Sequence, residues 1–184
     1  MAAAGQFPPD LGAEVAFAGR SNAGKSSAIN AIMHRRGLAR TSKLPGRTRL
    51  LNFFELGPSQ RIVDLPGYGY ASVSEAERRS WLPLLESLRQ RESLRGLFVI
   101  VDARRGIMDG DEALLQWALP HQVHVLLSKA DKLSRSEANS ALAAATRALA
   151  GRATAQLFSA VTRAGVDSAQ EKLAGWLRGE KPLE

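Results

Sequence analysis

The chain has 184 residues, 45% hydrophobic and 23% charged, with a net charge of +7 and no cysteine. That is enough sequence for one domain with its own core, and the missing thiols exclude disulfides and thiolate metal centres. No apolar run reaches the roughly 18 residues of a membrane span, and the opening MAAAGQFPPD has neither a basic region nor an apolar core, so the expectation is a soluble cytoplasmic protein with no membrane partner.

The charge is unevenly spread. Between Glu14 and Glu55 there is no acidic residue, whereas Arg20, Lys25, Arg35, Arg36, Arg40, Lys43, Arg47 and Arg49 are all basic. Such a block suits a polyanionic partner, because each phosphate contact by Lys or Arg releases condensed counterions; a solvated basic loop is the alternative reading.

In chain order, EVAFAG (14–19) reads as a strand and KSSAINAIM (25–33) as the helix after it. GLARTSKLPGRTR (37–49) is polar, basic and broken by Pro45 and Gly46, which predicts a mobile loop. LLNFFEL (50–56) and QRIVDL (60–65) flank GPS and predict a hairpin, hence one antiparallel pair. Residues 75–93 carry a helical pattern in which Trp81 reads as core, with Pro83 as a kink or first-turn residue. LFVIVDA (97–103) and VHVLLSKA (123–130) are near-continuous apolar runs, as parallel strands covered on both faces require. SEANSALAAATRALAG (136–151) predicts a helix closed by Gly151, and TAQLFSA (154–160) and DSAQEKLAGWL (167–177) predict a last strand and helix. The alternation implies a doubly wound α/β sheet. Residues 1–10 are expected to be flexible, 11–179 to form a single domain and 180–184 to fray.

A sheet of this kind binds ligands beyond the carboxyl ends of its strands. There Gly19, Arg20, Ser21, Asn22, Ala23, Gly24, Lys25 and Ser26 satisfy G-x-x-x-x-G-K-[ST], the phosphate-binding loop, with Ser27 next in line. Its glycines let main-chain N–H groups turn around a phosphate, and the positive end of the helix starting near Lys25 adds to them. Lys25 can reach β- and γ-phosphates and the Ser26 hydroxyl can fill a magnesium position. DLPG supplies Asp64 for magnesium through water, then Leu65 and Pro66, and a Gly67 N–H for the γ-phosphate; good turn chemistry is the alternative. SKAD (Ser128, Lys129, Ala130, Asp131) places a carboxylate where it can accept from both guanine N1–H and the exocyclic amine, and lays the Lys129 stem over the ring. FSA (Phe158, Ser159, Ala160) can offer backbone N–H groups to the base oxygen. Thr48, behind Pro45, Gly46 and Arg47, is the candidate to reach over the γ-phosphate and complete the magnesium shell.

Taken together, GRSNAGKSS, ARTSKLPGRT, VDLPGYGYA, VDARRG and SKADKL resemble the EngB (YihA/YsxC) group of bacterial ribosome-biogenesis GTP-binding proteins, within the TrmE-Era-EngA-EngB-Septin-like P-loop GTPases, over about residues 7–178. The resemblance implies a Ras-like fold with a six-stranded mixed sheet carrying one antiparallel strand and helices on both faces. It also implies GTP binding with slow hydrolysis to GDP, and a role in assembling the large ribosomal subunit, with ribosomal RNA and its proteins as partners. Ser128 stands where that family usually has Thr, and Ala160 where it often has Ser. The catalytic set implied is Lys25, Ser26, Thr48 and Gly67, and the magnesium set Ser26, Thr48 and Asp64.

A glutamine orients the attacking water in Ras-like hydrolases; here that position is Tyr68, a phenol with a pKa near ~10 and a poor base at neutral pH. Low intrinsic turnover follows. Asn22 is a candidate ligand for a potassium ion beside the phosphates, with a bond to its own backbone as the alternative. Arg104 and Arg105 fall at a strand end near the site. A GTP-binding structural RNA chaperone without useful hydrolysis is the competing function, and a P-loop kinase or ATPase is disfavoured by SKAD. A monomer is expected.

Overall fold

In a computed structural model, residues 7–35, 37–39, 51–68 and 83–180 are described. Six strands form one sheet: β1 (Ala13–Gly19), β2 (Asn52–Gly57), β3 (Gln60–Asp64), β4 (Leu94–Asp102), β5 (Gln122–Ser128) and β6 (Thr154–Leu157). Their order is β2-β3-β1-β4-β5-β6, all parallel except the β2–β3 hairpin. This is the mixed, doubly wound sheet the sequence predicts.

Helices α1 (Lys25–Ile32) and α5 (Val166–Arg178) cover one face; α2 (83–89), α3 (Asp109–Ala118) and α4 (Arg135–Leu149) cover the other. The strand side chains alternate accordingly. Val15, Phe17, Phe98, Ile100 and Leu126 pack under α1 and α5, while Ala16, Ala18, Leu97, Val99, Val101 and Val125 pack under α2 to α4. Burial on both faces is why these runs are apolar throughout.

Some boundaries differ from expectation. Of the helical pattern at 75–93, residues 83–89 form α2; residues 40–49 of the loop expected at 37–49, and Trp81, lie outside the described residues. Helix α3 was not among the predicted elements; a Met108 N-cap and a first turn of Asp109, Asp111 and Glu112 start it. Helix α4 closes on Ala150, itself left-handed at φ 48°, one residue before Gly151. Strand β6 stops at Leu157, because Phe158 turns into the core under α1 and α5.

At the amino ends of the strands, Glu14 is wholly buried. It accepts hydrogen bonds from Arg91 Nε (2.6 Å) and Nη2 (2.8 Å) and from Arg61 Nη1 (3.2 Å). Residues 7–10, the described part of the segment 1–10, are held against this cluster. Arg91 donates to the carbonyls of Pro8 (3.0 Å) and Pro9 (3.1 Å), Asp10 accepts from the Ser93 amide (2.9 Å), and Phe7 packs on Phe53. A buried carboxylate needs such pairing, since an unpaired one costs several kcal/mol, on the order of 3–5.

Candidate functional site

The carboxyl end of β1 runs into the glycine-rich loop. A Cβ at Gly19 would lie 2.8 Å from the Ile100 carbonyl oxygen, so only glycine lets β1 and β4 approach this closely. Gly24 sits at φ 101°, which disfavours any L side chain, and it caps α1 without a side-chain hydrogen bond. No acidic residue occupies the first turn of α1. The positive end of the helix therefore faces the loop with neither a side-chain cap nor an acidic residue in its own first turn.

Lys25 is 8% exposed and its ammonium is paired with the Asp64 carboxylate at the end of β3. Burial raises the Asp64 carboxyl pKa above the usual carboxylate value, and Lys25 pulls it back only in part. Ser26 follows at partial exposure and Ser27 is exposed. Leu65 and Pro66 are buried, with the Leu65 amide donating to the Phe17 carbonyl (2.9 Å). Gly67 packs on Ser21, where an added Cβ would stand 3.4 Å from the Ser21 Cα, and the Ser21 amide donates to the Tyr68 carbonyl (3.0 Å). Asp64, Gly67 and Tyr68 are thus tied directly to the segment from Ser21 to Lys25. Pro45, Gly46, Arg47 and Thr48 lie outside the described residues.

Tyr68 is engaged with α3. Its hydroxyl donates to Asp111 Oδ1 (2.6 Å) at the start of α3, and Asp111 Oδ2 accepts from the Met108 amide (2.9 Å). Burial, reinforced by the Asp111 carboxylate, pushes the phenol pKa far up. The phenol is a fixed neutral donor, consistent with its being no substitute for a water-orienting glutamine.

The second half of the site gathers at the ends of β5 and β6. Ser128 is buried, its hydroxyl within hydrogen-bonding reach of the carbonyls of Ala23 and Val101, the latter at 3.1 Å. Lys129 is left-handed at φ 59°, and its ammonium donates to the Asn22 carbonyl (2.6 Å) and to Asp102 Oδ2 (3.0 Å). The Ala130 amide donates to the Phe158 carbonyl (3.2 Å). Asp131 Oδ1 accepts from the Ser159 hydroxyl (2.7 Å), which, with Lys132 nearby, lowers its carboxyl pKa. The Ser159 hydroxyl in turn accepts from the amides of Val161 and Thr162, so the carboxylate is oriented by a folded loop.

One expectation needs correcting. The Phe158 and Ser159 amides are not free for a base oxygen: they donate to the carbonyls of Leu127 (2.9 Å) and Ala164 (2.9 Å), which close β6 and the turn after it. The Ala160 amide remains without a bond to another described residue. Asn22, at φ 64°, uses its carbonyl on Lys129.

On sequence grounds Ser159 has an amide role only, yet its hydroxyl holds Asp131. Asp102 has no role on those grounds, yet it holds Lys129 and pairs with Arg104, whose Nη2 lies 2.6 Å from Asp102 Oδ2. The acid at the end of the VIVDARRG strand was the only signal for Asp102. Burial opposes ionisation of Asp102, but the hydrogen bonds from Arg104 and Lys129 outweigh it and hold the carboxyl well below the usual range. A cleft of about 670 Å³ opens between the loop residues Arg20 to Ala23 and the turn from Asp102 to Asp111, with Lys129 in its lining.

Comparison with known proteins agrees with this geometry. Residues 14–129 match the family described as 50S ribosome-binding GTPase. The probable GTP-binding protein EngB of Aromatoleum aromaticum is 50% identical over 183 residues, spanning 96% of this chain and 85% of that protein. The corresponding protein of Nitrosococcus oceani is 52% identical over 180 residues, spanning 94% of this chain and 89% of that one. This chain belongs to the EngB family of GTPases. Among solved structures, a probable GTP-binding protein EngB superposes with a TM-score of 0.68 at 20% identity, covering 91% of this chain and all of the other. Era in complex with MgGDPNP and nucleotides 1506–1542 of 16S ribosomal RNA superposes at 0.69 with 22% identity, covering 94% of this chain and 59% of Era. At these identities the structural likeness establishes the P-loop GTPase fold. Among the described residues no helix is long and apolar enough to cross a membrane.

Proposed function

We propose that this EngB family member is a magnesium-dependent GTP switch in the cytoplasm, hydrolysing GTP slowly and engaging the large ribosomal subunit or its precursors when the triphosphate is bound. One observation supports it above the rest: Lys129, next to the candidate guanine-reading Asp131, is bonded to the carbonyl of Asn22 in the phosphate-binding loop. A base-reading loop and a phosphate loop are thereby held as one cradle.

Within it, Gly19 to Ser27 would surround the phosphates with main-chain amides, and Lys25 would leave Asp64 for the more strongly charged β- and γ-phosphate oxygens. Asp131 would accept from guanine, with the Ala160 amide facing the base oxygen. Ser26 and Asp64 form an oxygen-only set of one hydroxyl and one carboxylate, which suits magnesium, an ion that takes few protein ligands and completes its shell with water and phosphate. Thr48 is the third proposed ligand. Magnesium, when bound, neutralises charge on the β- and γ-phosphates. The Gly67 amide, next to Ser21, would sense the γ-phosphate and pass its presence to Tyr68. Asn22 is the proposed potassium ligand. With Tyr68 committed to Asp111, the position after Gly67 supplies no base, and turnover rests on positioning and charge neutralisation.

The ribosomal partner is supported by the family description and by the basic run from Arg20 to Arg49. The test is twofold. Titration should give tight binding of GTP and GDP with little affinity for ATP. Co-sedimentation with large-subunit precursors should require GTP and weaken with salt. Sedimentation indifferent to nucleotide would refute the switch, and zero multiple-turnover phosphate release, with and without particles, would favour a binding chaperone.

A further inference from the structure

We propose that Asp102 is a positioning residue for nucleotide binding: its carboxylate fixes Lys129 across the cradle so that the purine platform exists before the ligand arrives. This rests on the guanine-nucleotide reading above and extends it to a residue of the VDARRG segment to which that reading gives no role.

The geometry is a three-point tie. Asp102 is the last residue of β4, paired in register with Ser128, so its side chain emerges one residue from Lys129 on the neighbouring strand. It is 7% exposed. The Lys129 ammonium is held between Asp102 Oδ2 at 3.0 Å and the Asn22 carbonyl at 2.6 Å, which come from different segments. A free lysine has many rotamers, and collapsing them on binding costs affinity; a lysine already pinned at its tip loses less. The pinned stem also starts from a left-handed backbone, a conformation non-glycine residues adopt only when their surroundings enforce it.

Arg104 shares the carboxylate through Nε at 2.9 Å and Nη2 at 2.6 Å, but its side chain is 47% exposed and touches neither Lys129 nor the loop through a hydrogen bond. Arg104 therefore satisfies the remaining carboxylate capacity and provides a control. The platform lies on the base side, away from the γ-phosphate, so the effect must fall equally on di- and triphosphate.

The experiment is a double-mutant cycle on the full chain, read by equilibrium titration with GDP and GTP. Asp102→Asn should raise both dissociation constants about tenfold while kcat at saturating GTP stays within about twofold, because only ground-state binding is lost. In a Lys129→Met background the same change should move either constant by less than about twofold. Arg104→Ala should bind both nucleotides as the native chain does. Acylation of Lys129 in the ligand-free protein, measured by mass spectrometry, should be about threefold faster in Asp102→Asn than in Arg104→Ala. An equal loss in both backgrounds, unchanged acylation, or unchanged binding in Asp102→Asn while the native chain binds tightly, would each overturn the assignment and leave the nucleotide reading intact. A native chain that binds neither nucleotide overturns both.

Discussion

Replacing Tyr68 by Phe removes one oxygen and nothing else. In the native chain that oxygen donates at 2.6 Å to an Asp111 carboxylate that is 1% exposed. Phenylalanine leaves the carboxylate its Met108 amide but strips the tyrosine donor. Hydrogen bonds to charged groups contribute about 1.5–3 kcal/mol, which for a chain of this size corresponds to a fall in Tm of about 4–10 °C. Turnover should hardly change, since the hydroxyl is committed to Asp111 on α3. The assay is thermal unfolding by circular dichroism beside single-turnover GTP hydrolysis. A large loss of hydrolysis with Tm intact would show that the phenol reaches the phosphates, and would refute the argument that the chain lacks a base at this position.

His124 predicts a pH dependence. Its Nε2 faces Gln156 Oε1 (3.0 Å) and its Nδ1 faces the Thr154 hydroxyl (2.6 Å), and burial lowers its pKa from 6.5 to about 4. As pH falls below 6.5 the unfolded chain takes up this proton first, so stability present above that value drains away down to about 4, by about 3 kcal/mol in all. Thermal scans across that window should show a flatter profile for His124→Gln. Lys25→Ala should abolish binding of GTP and GDP in calorimetry and leave the unpaired Asp64 buried, visible as a lower Tm. Asp131→Asn exchanges an acceptor for an amide and should shift preference from guanine to xanthine nucleotides by at least about tenfold, read from competition binding.

The strands were legible because burial on both faces leaves uninterrupted apolar runs, as in LFVIVDA and VHVLLSKA. The glycine-rich loop from Gly19 to Ser26 was legible because its spacing is local. What escaped depends on partners distant in the chain. Helix α3 begins with three acids and has a short apolar stripe, so its order comes from Asp111 joining Tyr68 and from Leu115 and Ala118 packing on the sheet. Phe158 reads as site when seen beside Ser159 and Ala160, yet its ring is core and its amide belongs to the β5–β6 pairing. The pairing of Asp102 with Lys129 spans 27 positions and is set by strand register alone.

The charged cluster around Glu14 has a practical corollary. Residues 7–10 are fastened by Arg91 and Ser93 at the pole opposite the loop from Gly19 to Lys25, separated from it by the length of β1, roughly 20 Å. A handle grafted ahead of Phe7 for tethering the protein to a sensor chip would leave from that far pole, so the nucleotide cleft would look outward into the flow. Clipping the chain back to Gly12 would instead sever the fastening and loosen the amino-terminal end of β1, on which such a measurement depends.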